Sequence, residues 1–412
     1  VQIEYRPPRS KVTSPSRQSL TGLDWLNFYL ADVQTGVGPF LAIYLAGYKW
    51  NEQQVGLALT VGGIAGILAQ TPAGQLVDSV RSKRALIAVG VLALASGALI
   101  IAFFPRFGPV MVAQTLIGGV SSLFIPVICA ISLGLVGPKL FDLRQGRNQT
   151  FNSAGNVAAA VAMGAIGYFI SNRGIFFFVV AVALPTLFTL SLIRPEEIDY
   201  DLARNAKDGK DDGRPVALAT LLADRRLLLF LGCAVLFHFA NAAMLPLLGE
   251  MLAKGRGRSS MMFMSACVVT TQMVITLIAW WTGRLASTWG RKPLLLIGFS
   301  ALPVRGVLYT LTHNPAALIA IQVLDGVGAG IFGVVSALVI ADLTRGTGRF
   351  NLAQGAIATA VGIGASLSQA VAGAIVHHSG YRIGFLFLAA VASAALVLLG
   401  LFMPETRETM GG

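Results

Sequence analysis

The sequence predicts an all-α membrane protein, with twelve transmembrane helices arranged as two pseudo-symmetric six-helix bundles. Three observations predict it. Of 412 residues, 55% are hydrophobic and only 12% are charged, about half the charged share of a soluble domain, so lipid rather than water faces much of the chain. Apolar runs of roughly 18 or more residues recur along the whole length, each long enough to cross a hydrocarbon core of about 30 Å. The two halves of the chain also repeat.

Residues 1–20 are polar and carry no apolar core of a secretory signal, which reads as a cytoplasmic tail ahead of a retained first span. Apolar runs between charged or Pro/Gly breaks then give spans at 21–47, 54–77, 85–104, 109–135, 148–170 and 175–193. Residues 194–225 contain RPEEIDYDLARNAKDGKDDGRP, whose charge and glycine breaks fit a cytoplasmic linker. Six further spans follow at 226–250, 259–282, 293–312, 316–341, 350–376 and 383–403, and 404–412 form a short tail. The predicted units are thus an N-terminal bundle, 21–193, and a C-terminal bundle, 226–403. About three quarters of the 31 Lys and Arg residues fall on the side that carries both termini, which places both in the cytoplasm and the protein in a cell (inner) membrane. That bias also accounts for the net charge of +12 without a nucleic-acid partner. Trp25, Trp50, Trp280, Trp281 and Trp289 sit near span ends, where amphipathic rings are favoured. Cys129, Cys233 and Cys267 fall inside separate apolar runs and read as packing residues, not a disulfide framework.

The repeat has a nearly constant offset. GQLVDSVRSKR from Gly74 is echoed 209 residues later by GRLASTWGRKP from Gly283, Gln114 of QTLIGG by Gln322 of QVLDGVG at 208, and Pro39 by Pro246 at 207. A duplicated six-span unit of this kind places a ligand site at the interface of the repeats, near the bilayer midplane.

With these motifs the sequence resembles the major facilitator superfamily. Its loop signature between spans 2 and 3, in outline G-x-L-a-D-r-x-G-r-k, is matched by Gly74, Leu76, Asp78 and Lys83, with Arg81 where the second glycine is expected and Arg84 just beyond. The weaker echo between spans 8 and 9 is matched by Gly283, Leu285, Gly290, Arg291 and Lys292, with Ser287 in the place of the acid. The resemblance covers the whole chain through span count, linker and repeat. It implies a secondary transporter working by alternating access, in which Asp78 caps or pairs with a helix end of the other half and the bases latch the inner gate. Two elements of many drug/proton antiporters are absent. Gln114 ahead of Gly118 stands where their span 4 carries arginine, and span 5 lacks the proline of their Gly-Pro-x-x-Gly-Gly element.

A charge at the bilayer centre costs at least about 2.5 kcal/mol on insertion scales, so each needs a reason. Asp32 lies roughly 14 Å deep in span 1 at 1.5 Å per residue. Asp24, Asn27, Phe28, Thr35 and Pro39 share its helical face, Gln34 lies just beside it, and TGVGP beyond predicts a local break. That face reads as a substrate or proton site; the alternative is an acid satisfied by neighbours for packing. Arg305 in span 9 and Asp325 in span 10 fall at similar depth, and pairing between sequential antiparallel spans relieves their desolvation. The superfamily's ninth spans sit outside the cavity, which favours a structural pair, although Asp325 alone could titrate in the cavity. His238 in span 7, with Asn241 one turn on, reads as a proton shuttle or a hydrogen-bonded packing residue. Asn148, Asn152 and Asn156 recur every four residues in span 5 and predict a polar cavity wall. Gln114 and Gln322 add hydrogen-bonding capacity, with Gln272 and Gln369 as secondary candidates. Glu250, His377 and His378 read as solvated rim residues.

No phosphate-cradling G-x-x-x-x-G-K-[ST] motif occurs, so ATP drive has no support, and neither a nucleophile–base set nor a metal cluster points to an enzyme. No cofactor is implied. The expected partners are a small-molecule substrate, protons and the lipid bilayer, and the expected state is a monomer. The reading is proton-coupled efflux with Asp32 as the first protonation site. A proton-coupled importer of a polar nutrient or chelate, and a non-transporting membrane sensor, are the alternatives.

Overall fold

The computed structural model describes residues 15–35, 37–199, 224–256, 259–343 and 350–406. Among these, twelve spans are helical. Span 1 comprises Arg17–Thr35 and Val37–Gly47, span 2 is Glu52–Ser79 and span 3 is Lys83–Phe103. Spans 4 and 5 form the run Phe107–Phe169, broken only at Gly137, and span 6 is Gly174–Leu192. Span 7 comprises Arg225–Ala242 and Met244–Arg256, followed by Ser259–Trp289, Arg291–Leu308 and Pro315–Leu343 as spans 8 to 10. Spans 11 and 12 form Phe350–Phe402, broken at Gly380. Seven of the helical runs are long and apolar enough to cross a bilayer on composition alone.

Local chemistry sets the ends. Span 2 opens with a capping box in which Gln54 N–H donates to Asn51 Oδ1 at 2.8 Å and Asn51 N–H to Gln54 Oε1 at 3.2 Å. Ser82 caps span 3 and Asp224 caps span 7. Gly137 and Gly380 adopt φ of 69° and 82°, a region open to glycine, and the chain reverses at each within a single residue. The structure therefore corrects one expected loop: residues 138–147, read as an inner loop, are helical and prolong span 5. Lys139, Arg144 and Arg147 oppose insertion into lipid, but they do not oppose a helix, and the charge signal marks the membrane boundary only.

Span 7 is interrupted at Ala243, three residues before Pro246, the repeat partner of Pro39. The local break predicted at TGVGP in span 1 centres on residue 36, which lies outside the described residues. A proline in a helix removes one N–H and leaves the carbonyl four residues earlier without its partner.

Each half has its own apolar core. One is built around Leu26, Tyr44, Phe124 and Phe176, the other around Phe230, Phe237, Phe299 and Phe332. Large apolar side chains such as Leu68, Phe169, Leu184 and Leu401 point outward, more than two-thirds exposed, as lipid contact requires. The halves meet only on part of their facing surface. We call the side that carries Arg17 and Phe402 the terminal face and the opposite side the far face. Toward the far face, a Cβ on Gly373 would stand 2.5 Å from the Glu52 carbonyl oxygen, Thr60 donates to the Ser366 carbonyl at 2.7 Å, and a Cβ on Gly362 would stand 2.9 Å from Ile67. Spans 5 and 8 close in the same region, where a Cβ on Gly167 would stand 2.6 Å from Met261. Toward the terminal face spans 2 and 11 part around a cavity of about 380 Å³ lined by Gln70, Gln114, Ser121, Ser122 and Ala358, and Gly74 and Gly355 have no neighbour within 4 Å of an added Cβ. Among the described residues, the halves meet toward the far face and part toward the terminal face.

Candidate functional site

The repeat-matched prolines mark the site. Two cavities of about 190 and 240 Å³ share Pro39, Leu245 and Asp325 as lining residues. The first adds Phe40, Asn156, Thr271 and Gln272, and the second adds Asn241, Pro246, Arg305 and Gln369. Spans 1, 5, 7, 8, 9, 10 and 11 all contribute. Where Pro246 leaves the Ala242 carbonyl without a helical donor, Gln369 Nε2 from span 11 supplies one at 2.9 Å, and Ser368 Oγ accepts the Ala243 N–H at 3.2 Å. The break in span 7 is thus held by span 11 at the cavity wall.

Arg305 organises the C-terminal half of the site. Its side chain is fully buried, and its Nη1 lies 2.7 Å from Asp325 Oδ1. The same nitrogen donates to Asn241 Oδ1 at 2.5 Å, Nη2 donates to Gln322 Oε1 at 3.2 Å, and Nε donates to the Tyr309 hydroxyl at 2.9 Å. Gln322 Nε2 donates to the same hydroxyl at 2.6 Å, and Thr271 Oγ1 donates to Asp325 Oδ2 at 3.2 Å. A guanidinium without water is tolerable only when nearly every N–H has a partner, and four residues from spans 7, 9 and 10 provide them. The expected pair is present, but the expectation that span 9 stays outside the cavity is corrected, since Arg305 lines it.

The other sequence-predicted residues divide between places. Asp32 and Gln34 lie on span 1, but their side chains fall outside the described residues. Asn27 is buried and donates to Leu23 of its own helix at 2.7 Å. The span 5 amides do not act together. Asn156 reaches the cavity and donates to Asn152 at 3.3 Å. Asn148 instead belongs to a cluster near the terminal face, where Arg144 Nε donates to its Oδ1 at 2.8 Å and Arg144 Nη2 meets Asp24 at 2.5 Å. Eight residues of helix separate Asn148 from Asn156, roughly 12 Å along the axis, so one stripe serves two sites. Gln114 lines the cavity open to the terminal face and donates to the Ala58 carbonyl at 3.4 Å. His238 packs between Phe237 and Phe332, its Nε2 buried without a hydrogen bond.

In the loop motifs, the side chains of Asp78 and Ser287 lie outside the described residues. Lys83 is buried and its ammonium meets the Val77 carbonyl, neutralising the exposed end of span 2. Arg81 is exposed, and the Nε of Arg84 is buried without a hydrogen bond. In the second copy Arg291 donates to the Ala286 carbonyl at 2.8 Å and pairs with Asp342 at 2.9 Å. Ala286 stands 209 residues after Val77, so a base secures the same helix end in both halves. The backbone N–H groups of Arg291 and Lys292 donate to Glu405 at 2.9 and 3.0 Å. Sequence reasoning missed Thr271, Tyr309 and Glu405, a hydroxyl, a phenol and a tail acid that carry no signal until their neighbours are known.

A two-half helical protein with its polar site between the halves has clear relatives. The model of the Major Facilitator Superfamily matches residues 25–302 and again 230–412. An uncharacterised MFS-type transporter of Mycobacterium tuberculosis is 44% identical over 402 residues, 95% of this chain and 96% of its own. Quinidine resistance protein 1 of Saccharomyces cerevisiae is 28% identical over 130 residues, 32% of this chain and 23% of its own, and multidrug resistance protein D of Escherichia coli is 25% identical over 125 residues, 30% and 32%. Among solved structures, the nucleoside transporter NupG superposes with a TM-score of 0.77 at 16% identity, covering 95% of this chain and 100% of that one. With a family match that spans both halves and a relative nearly half identical along its whole length, the chain belongs to the major facilitator superfamily.

Proposed function

We propose that this transporter exports a small solute from the cytoplasm in exchange for protons, working as a monomer in the cell membrane with both termini cytoplasmic. The terminal face is then the cytoplasmic face, and the structure is an inward-open state. Residues 21–193 and 226–403 are the two moving bodies, joined by 194–225. The observation that carries the reading is Asp325: it lines both cavities while its Oδ1 is held by the buried Arg305 and its Oδ2 by the Thr271 hydroxyl. Protonating Asp325 removes one charge of the pair, and Arg305 keeps its neutral partners Asn241, Gln322 and Tyr309. A proton and a solute that hydrogen-bonds or pairs with Asp325 then compete for one carboxylate. Asp32 is the second coupling acid in this proposal. Export is supported by the two drug-resistance relatives, and the amides Asn156, Asn241, Gln272 and Gln369 suit a solute with several polar groups.

The test is proton flux in reconstituted vesicles loaded with a panel of solutes. Asp325→Asn is expected to lower solute-linked proton flux by at least about tenfold, equivalent to 1.4 kcal/mol at the coupling step, with counterflow of solute retained. Asp32→Asn separates the contributions of the two acids. Undiminished coupling in both variants overturns the proton mechanism, accumulation in the proton direction favours import, and the lack of any solute flux favours a sensor.

A further inference from the structure

The far face holds a polar cluster that the cavity does not use. Glu52, the first helical residue of span 2 and outside its apolar run 54–77, brings a carboxylate of the N-terminal half against the C-terminal half. Lys254 of span 7 pairs with it, the Tyr381 hydroxyl donates to its Oε1 at 3.1 Å, and His377 Nδ1 lies 3.7 Å from its Oε2. Lys254 also sits over the Tyr381 ring at 5.4 Å, and His378 packs on His377 with ring centroids 5.0 Å apart. Glu250 stands one helical turn before Lys254 on the same segment. The sequence reading made Glu250 a solvated rim acid, and the structure corrects this: it is 2% exposed. Its neighbour Gly249 packs against Ile43 of span 1 and Met264 of span 8, which draws the end of span 7 beneath the N-terminal half.

Lys254 pairs with Glu52 of the other half, while Glu250 stands one helical turn before Lys254 and is itself buried. An ionised carboxylate so buried is costly, and one retained proton removes its charge. Glu52 is the poorer holder of that proton. Lys254 and the Tyr381 hydroxyl both hold its ionised form. Its ionised form is also the one that ties the two halves together.

We propose that Glu250 is a proton-binding site of the far gate, which holds a proton while the gate is closed and releases it to far-side water when the gate opens. Closure is then linked to uptake of one proton, so acid favours the closed gate and rising pH favours the open one. The proposal rests on the chain being a transporter and not on proton-coupled export, because no cavity residue takes part.

The experiment uses full-length protein in lipid nanodiscs without solute. Spin labels are attached through Tyr48→Cys and Arg382→Cys, both exposed near the far face in opposite halves, with the three native cysteines replaced by serine. Double electron–electron resonance reads the ratio of open to closed gate from about pH 5 to about pH 9. One linked proton predicts a change approaching tenfold per pH unit across the transition. Glu250→Gln, a fixed neutral mimic, is expected to stay closed with a flat profile, whereas His377→Gln keeps the native slope. A flat profile in the native protein overturns the proposal, as does a native slope in Glu250→Gln or loss of the slope in His377→Gln. Should Glu250→Gln fail to fold, the native and His377→Gln profiles still decide. A sloped gate profile alongside uncoupled vesicles leaves this site standing and removes only the export mechanism.

Discussion

Arg305 shows how a membrane interior handles a full charge. Its guanidinium has no exposure, and its partners come from three different spans. Removing one member of such a pair strands the other, at a cost of about 3–5 kcal/mol, while replacing both with apolar residues of similar volume is close to neutral. Arg305→Met is therefore expected to lower thermal stability sharply. Arg305→Met combined with Asp325→Leu should recover most of that loss and still fail to transport. Thermal unfolding in detergent, read beside vesicle flux, checks both halves of the prediction, and a double variant as unstable as the single one would contradict it. The sequence made the pair legible, because two opposite charges at matched depth in consecutive antiparallel spans have few other partners. Tyr309 and Thr271 were not legible, since a phenol or hydroxyl in an apolar helix satisfies itself on its own backbone as readily as on a neighbour.

At the scale of elements, the break in span 7 was partly legible, because Pro246 stands inside an apolar run at the repeat position of Pro39. What the sequence could not show is that Gln369 caps the carbonyl Pro246 sets free. Gln369→Leu leaves a buried carbonyl without its donor, worth about 1–3 kcal/mol. Pro246→Ala in the same background should restore part of the loss, because an alanine at that position can supply a helical N–H. A pair of additive losses in the melting profiles would separate Gln369 from the break. The terminal-face elbows follow the repeat too: Pro195 and Pro404 stand 209 residues apart, and the acids beside them cap helices. Glu197 accepts from the Ser16 backbone and hydroxyl at 3.0 Å, and Glu405 caps the start of span 9. Burial pushes the Glu197 carboxyl up, but the Ser16 and Ser19 hydrogen bonds and Arg194 outweigh it and hold the group below its ordinary range. A depressed carboxylate contributes above its unfolded value and loses that contribution as pH falls through the folded one. Proteolysis near residue 16 is thus expected to be slow at neutral pH and to rise below about pH 4, whereas Glu197→Gln should be cleaved readily at both.

For the whole molecule, the placement of glycine describes the transport cycle better than charge does. Span number and the two-half arrangement were legible in hydropathy and in the internal repeat, both patterns spread over many residues. Which face is closed was not legible, because the halves separate or meet through single close approaches that leave composition unchanged. On the closed far side an added Cβ at Gly56 would collide with the Gln369 carbonyl, whereas at Gly74, toward the open side, it would meet nothing within 4 Å. Rigid bodies rocking about a central site must exchange these environments, so the two glycines should respond oppositely to bulk. Gly56→Leu is expected to disfavour the far-closed state and lengthen the Tyr48→Cys to Arg382→Cys distance. Gly74→Leu should leave that distance unchanged in the resting state and slow the return step, because the terminal face must close over the added side chain. Spin-label distances combined with exchange rates in vesicles separate the two effects. If Gly56→Leu and Gly74→Leu shift the same equilibrium in the same direction, the halves do not rock as units, and closure at the two faces must instead arise from local movements of single spans, such as the broken span 7.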